Sequence, residues 1–149
     1  MVKLLLAGTG LIGHRHMQHI LEHPDLELVG IIDPIITDEK IEGVKTYSSL
    51  NDVNAVAQGI ILATPTDTHA DLTIQSLEMG MHVLVEKPVA ASLLEADKMI
   101  SASEKTGLSV LVGHHRRHHP LVNETIKILN SGIIGRPVAA SLMWLMRKQ

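Results

Sequence analysis

Gly8-Thr9-Gly10-Leu11-Ile12-Gly13 follows an apolar run from Val2 to Ala7 and opens a helix-compatible segment. A strand that turns into a helix through glycines at this spacing can hold a diphosphate. Gly8 allows the tight turn, Gly10 removes the side chain that would keep backbone from the anion, and Gly13 lets helix and strand pack closely. The N–H groups of the first helical turn lack intrahelical acceptors and would face the charge. Asp33 stands twenty residues after Gly13, ending a second apolar run from Leu26 to Ile32. A carboxylate there is placed to accept the hydroxyls of an adenosine ribose. The pattern points to a dinucleotide; the competing reading is an ordinary turn and a capping aspartate.

A second group follows the apolar run His82 to Val85, where Glu86-Lys87-Pro88 stands. A lysine at a strand end can hydrogen-bond a substrate hydroxyl and relay a proton while a hydride passes to nicotinamide. Glu86 could orient that ammonium; the plainer alternative is a surface ion pair before a proline turn. Thr64, Pro65 and His69 could line the nicotinamide end of the same crevice, although His69 reads equally as a first-turn helix residue.

The chain has ten histidines, and His114 with His118, His115 with His119, and His19 with His23 stand four apart. On a helix that spacing can hold a transition metal. Arg116 and Arg117 would repel the cation, no acid or cysteine nearby completes a site, and Pro120 disturbs the helix. No metal is therefore expected. Arg116, Arg117 and His115 read better as a polar rim for a hydroxylated or carboxylated substrate, against the alternative of a solvated loop.

The elements that must position these groups alternate. Strand-like runs at Leu4–Ala7, Leu26–Ile32, Gly59–Ala63, His82–Val85 and Leu108–Val112 are separated by helix-like segments, which predicts a doubly wound α/β domain with a parallel sheet covered on both faces. The first helix should run from Leu11 to Glu22 before Pro24, and Ser92 and Gly107 should bracket another that runs to about Lys105. Residues 34–53 suggest one short strand and one short helix, and a last helix is expected from Leu121 to Leu129. Val138, Ala140, Leu142, Trp144 and Met146 alternate as the apolar face of a final strand within 135–149. Such a strand needs a partner, so pairing with a second copy in a homo-oligomer is one expectation.

Composition narrows the class. A chain of 149 residues suits one domain. Thirteen basic against sixteen acidic residues, a net charge of -3 without a single-sign block, implies neither a nucleic-acid groove nor a membrane surface. No cysteine is present, which suits a reducing cytoplasm. Gly8 cuts the N-terminal apolar run before a signal-peptide core forms, and no stretch is long and apolar enough to span a bilayer.

Together, Gly8 to Gly13 with Asp33, Ala63-Thr64-Pro65 with His69, Gly80 to Pro88, and Gly113 to Pro120 make the chain resemble the N-terminal half of the glucose-fructose oxidoreductase, inositol dehydrogenase and rhizopine-catabolism family (Gfo/Idh/MocA). The resemblance implies a Rossmann-type domain over 1–134 and, in 135–149, the first strand of a second α/β domain that is otherwise missing. It implies Lys87 as the catalytic lysine, and Gly8, Gly10, Leu11, Ile12, Gly13, Asp33, Thr64, Pro65, His69 and Glu86 around the dinucleotide. Asp33-Pro34 without a neighbouring Arg favours NAD over NADP. Where relatives often carry aromatic or Asn residues around the Arg-Arg step, this chain has His114, His115, His118 and His119. The expected activity is an NAD-dependent dehydrogenase of a sugar, polyol or inositol-like alcohol; the alternative is a truncated, non-catalytic NAD-binding or regulatory module.

Overall fold

The computed structural model describes residues 1–141 and 143. By internal packing the chain divides into two units, Met1–Gly113 and the segment from His114 onward. The division expected from the sequence, after residue 134, keeps the last helix with the first domain.

The first unit is a doubly wound α/β domain. Strands β1 (Val2–Ala7), β2 (Leu26–Ile32), β3 (Lys40–Ile41), β4 (Val44–Tyr47), β5 (Gly59–Leu62), β6 (His82–Val85) and β7 (Val110–Val112) form one sheet in the order β3-β4-β2-β1-β5-β6-β7. All neighbours are parallel except β3 and β4. The central strands read as continuous apolar runs because helices pack on both faces there, whereas Leu111 of the edge strand β7 is 63% exposed. Leu5, Ala7, Ile60 and Leu62 join Leu77 of α2 (His69–Glu78) and Met99 of α3 (Leu93–Thr106) in one core cluster. Leu6, Leu28, Ile31 and Ile61 join Met17 and Ile20 of α1 (Leu11–Glu22) in the other. Alternation along each strand thus feeds two cores on opposite faces.

Local chemistry sets the helix ends. The Ser92 hydroxyl accepts the Glu95 N–H at 3.2 Å while the Glu95 carboxylate accepts the Ala91 N–H at 2.9 Å, and Gly107 closes α3 at φ +70°. One correction concerns residues 34–53, which hold two short strands and a 3-10 turn (Leu50–Asp52) rather than one strand and a helix. Lys40–Ile41 and Val44–Tyr47 form an antiparallel hairpin whose turn residues Glu42 and Gly43 both have positive φ. A two-residue hairpin turn of that kind normally advertises itself with Asn-Gly or Asp-Gly. Glu42 takes the left-handed position without that signature.

In the second unit a 3-10 turn (His115–His118) leads into α4 (Pro120–Asn130), where Pro120 sits in the first turn and the His119 ring accepts the Leu121 N–H at 3.2 Å. Residues 135–141 and 143 carry no strand among the described residues. Leu142, Trp144 and Met146 of the expected final strand lie outside the described residues.

Leu62 has no exposed surface and sits where the β1, β5 and β6 side chains meet α2. Leu62→Ala is expected to cost about 2–5 kcal/mol, measured as a lower urea midpoint at unchanged slope.

Candidate functional site

β1 and β5 lie side by side, but the chain leaves β1 toward β2 on one side and returns through β5 on the other. In open α/β sheets the crevice at the carboxyl ends of such strands is where ligands bind. Four sets of expected residues meet there: Gly8 to Gly13 after β1, Asp33 after β2, Thr64 and Pro65 after β5, and Glu86 and Lys87 after β6.

The three glycines do different things. Gly8 has φ +88°, and a Cβ on it would lie 2.5 Å from the Ala63 carbonyl oxygen. A Cβ on Gly13 would stand far inside van der Waals contact distance of the Gly8 carbonyl oxygen. These two positions are closed by backbone. Gly10 is the opposite case: it is exposed, and nothing lies within 4 Å of where its Cβ would be. Gly10 is also the N-cap of α1, lends the helix no side-chain acceptor, and is followed by a first turn without an acid. Backbone N–H groups at such an end attract an anion. Leu11 and Ile12 beside it are both exposed.

Asp33 closes the next strand end. Its Oδ2 accepts the Thr9 N–H at 2.9 Å and the Thr9 hydroxyl at 2.6 Å, and its Oδ1 accepts the Ile35 N–H at 3.0 Å. Burial pushes the carboxyl up, but the Thr9 hydroxyl and the Ile35 and Thr9 N–H groups outweigh it and hold Asp33 below the usual carboxylate range.

After β5, the Thr64 and Thr68 hydroxyls share a 2.7 Å hydrogen bond, and Thr68 also reaches the Pro65 carbonyl at 2.8 Å. His69 departs from its expected place along the crevice. It is 1% exposed, with Nδ1 2.8 Å from the Pro88 carbonyl oxygen and Nε2 2.9 Å from the Thr64 carbonyl oxygen. Both ring nitrogens face backbone carbonyl oxygens, and whichever carries the ring's N–H donates to one of them, so the ring packs between the turn after β5 and the turn after β6.

Glu86 also departs from expectation. Its Oε1 lies 2.9 Å from His16 Nε2 on α1, and its Oε2 accepts the Lys87 backbone N–H at 3.3 Å. The carboxylate therefore holds the Lys87 backbone, not the Lys87 ammonium. Gly113 makes room for it, since a Cβ there would stand 3.0 Å from the carboxylate. Lys87 is exposed, and its ammonium has no hydrogen-bond or ion-pair partner among the described residues.

His115, Arg116 and Arg117 lie on the exposed 3-10 turn of the second unit. A 3-10 turn repeats every three residues, so the four-residue histidine spacing does not stack one ring on the next. Among the described residues, no three His, Cys, Asp or Glu side chains gather as a metal would require. No described helix is long and apolar enough to cross a membrane.

Two residues escaped sequence reasoning. Thr9 is the variable position inside the glycine motif, and His16 reads as one more position of an amphipathic helix. Their partners lie 24 and 70 residues away, a separation that periodicity does not encode.

Residues 2–114 match the model of an oxidoreductase family described by its NAD-binding Rossmann fold. Over 138 residues the chain is 28% identical to the rhizopine catabolism protein MocA of Rhizobium meliloti, covering 89% of this chain and 44% of that one. Over 147 residues it is 30% identical to the scyllo-inositol 2-dehydrogenase (NAD(+)) of Bacillus subtilis, covering 92% and 42%. The crystal structure of the WlbA dehydrogenase from Bordetella pertussis, in complex with NADH and UDP-GlcNAcA, superposes with a TM-score of 0.83 at 29% identity, over 91% of this chain and 41% of that one. The chain thus spans about two fifths of the length of the relatives it matches.

Because the folded Asp33 pKa is lowered, its contribution to stability is present above the unfolded carboxylate pKa and is lost as pH falls through the folded value. Asp33→Asn is therefore expected to be less stable than the parent at pH 7, with the two urea midpoints converging as pH drops below the ordinary carboxylate range.

Proposed function

Because the chain belongs to the Gfo/Idh/MocA oxidoreductase family, with its NAD-binding Rossmann fold, we propose that it supplies the cofactor domain of an NAD-dependent dehydrogenase acting on a sugar, polyol or inositol-like alcohol. The observation that carries the reading is the contrast among the glycines. Gly8 and Gly13 are shut against backbone, while Gly10 opens onto empty space beside the uncapped end of α1. That cradle fits a diphosphate, with Asp33 one strand away for the ribose. Relatives named for rhizopine catabolism and for scyllo-inositol support a polyhydroxylated substrate.

The bound nicotinamide would supply the hydride acceptor for the carbinol carbon. Lys87 would hold the substrate oxygen and, as the neutral amine, take up the hydroxyl proton as the hydride leaves the carbinol carbon. Glu86, fixed by His16, would set the backbone from which that side chain extends. Thr64 and Pro65 would form the wall after β5, with His69 behind them as a brace. Arg116, Arg117 and His115 carry the charge and donors for a hydroxylated or carboxylated substrate.

A carboxylate at position 10 separates cofactor binding from folding. Gly10→Asp would cap α1 while setting a negative charge where the diphosphate belongs. Thermal stability is expected to hold or rise, and the calorimetric NAD affinity to fall by about 100-fold or more; retained NAD binding would place the cofactor elsewhere. Lys87→Ala is expected to keep NAD affinity while lowering polyol-dependent NADH formation by about 10²–10⁴-fold in the whole protein.

A further inference from the structure

Asp33 has little acceptor capacity left. Three hydrogen bonds already reach its carboxylate, two from Thr9 and one from the Ile35 N–H. A carboxylate offers about four lone-pair positions, so one remains, on Oδ1. Two ribose hydroxyls would need two acceptors. The second is at hand: the Thr9 hydroxyl, 2.6 Å from Oδ2, gives its only hydrogen to Asp33 and keeps lone pairs that can only accept.

The geometry points to Thr9 as a specificity-determining residue for the cofactor: its hydroxyl locks the Asp33 carboxylate and completes with it an acceptor-only edge that takes an unsubstituted ribose diol and refuses a 2′-phosphate. This rests on the reading of the chain as a dinucleotide-binding domain and deepens it. Ribose hydroxyls bring hydrogens to such an edge. A 2′-phosphate brings oxygens and negative charge, which an acceptor-only edge does not receive. Pro34 has no N–H, the Ile35 N–H is spent on Asp33, and no cationic side chain pairs with Asp33 among the described residues.

The lock matters for both halves of the discrimination. A carboxylate held only by backbone donors could rotate away from a phosphate and lower the repulsion. Held also by the Thr9 hydroxyl, it stays in place. The same hydrogen bond helps to keep Asp33 ionised despite its burial, which preserves the repulsion across the neutral range.

The test is calorimetric titration of the parent chain, Thr9→Val, Thr9→Ala and Thr9→Ser with NAD and with NADP. Thr9→Val keeps the shape of the side chain and removes the hydroxyl; Thr9→Ser keeps the hydroxyl. The parent should prefer NAD. The ratio of NADP to NAD dissociation constants should fall about tenfold in Thr9→Val and Thr9→Ala and stay within about twofold in Thr9→Ser. A second readout needs no nucleotide: in a carbon-13 carboxyl titration the Asp33 pKa should rise in Thr9→Val and not in Thr9→Ser. An unchanged ratio, or an unchanged Asp33 titration in Thr9→Val, overturns the role of Thr9 and leaves NAD binding by the parent standing. A parent chain that prefers NADP overturns it as well. A parent that binds neither nucleotide overturns the dinucleotide reading and this inference with it.

Discussion

The backbone contact between Gly13 and the Gly8 carbonyl, with Gly8 itself pressed against Ala63, is the constraint on which the site depends. It joins the start of α1 to the ends of β1 and β5, the two strands between which the chain reverses its direction of winding. No side chain fits in either gap, so the contact admits only glycine. Its consequence is positional. Once α1 is seated this closely, its first turn begins at Gly10 beside open space, Thr9 falls within reach of Asp33, and His16, one turn beyond Gly13, reaches Glu86 after β6.

Three hydrogen-bonded ties then hold the strand ends to one another. Thr9 to Asp33 joins β1 to β2; His16 to Glu86 joins α1 to β6; His69 packs between the turn after β5 and the turn after β6, its ring facing two carbonyl oxygens. Each such bond contributes only about 0.5–3 kcal/mol net, small beside the two apolar clusters under the helices. Their work is geometric. The core fixes that the sheet exists, and the ties fix where its loops stand.

How much of this was legible depends on the range of the interaction. α1 and β2 were read to the residue, because an apolar period, a glycine motif and Pro24 are all local signals. The cap of α3 at Ser92 and its stop at Gly107 were read for the same reason. The hairpin over residues 40–47 was missed because Glu42 adopts a left-handed conformation that its side chain does not announce. The residues of the glycine loop, Asp33 and the Glu86-Lys87 pair were located in sequence, but their partners were not. Sequence proximity pairs Glu86 with its neighbour Lys87, whereas the fold brings its carboxylate to His16. His69 was given to the crevice, and two carbonyl oxygens claimed its ring. In each case the competitor was a backbone or side-chain group made near only by the fold.

The same accounting isolates Lys87. On either side of it polar groups are committed: the Glu86 carboxylate to His16 and to the Lys87 N–H, the Pro88 carbonyl to His69. The backbone at Lys87 is thus held from both flanks, while the ammonium at the end of its four-carbon stem has no partner among the described residues. A lysine recruited for structure would show the reverse, a charged head satisfied by a carboxylate and a backbone free to adjust. Glu86, its neighbour in sequence, carries a carboxylate that pairs with His16 instead. A fixed origin with an uncommitted head suits a group that must meet a substrate oxygen in one place and exchange a proton with it, since binding then requires no ion pair to be broken first.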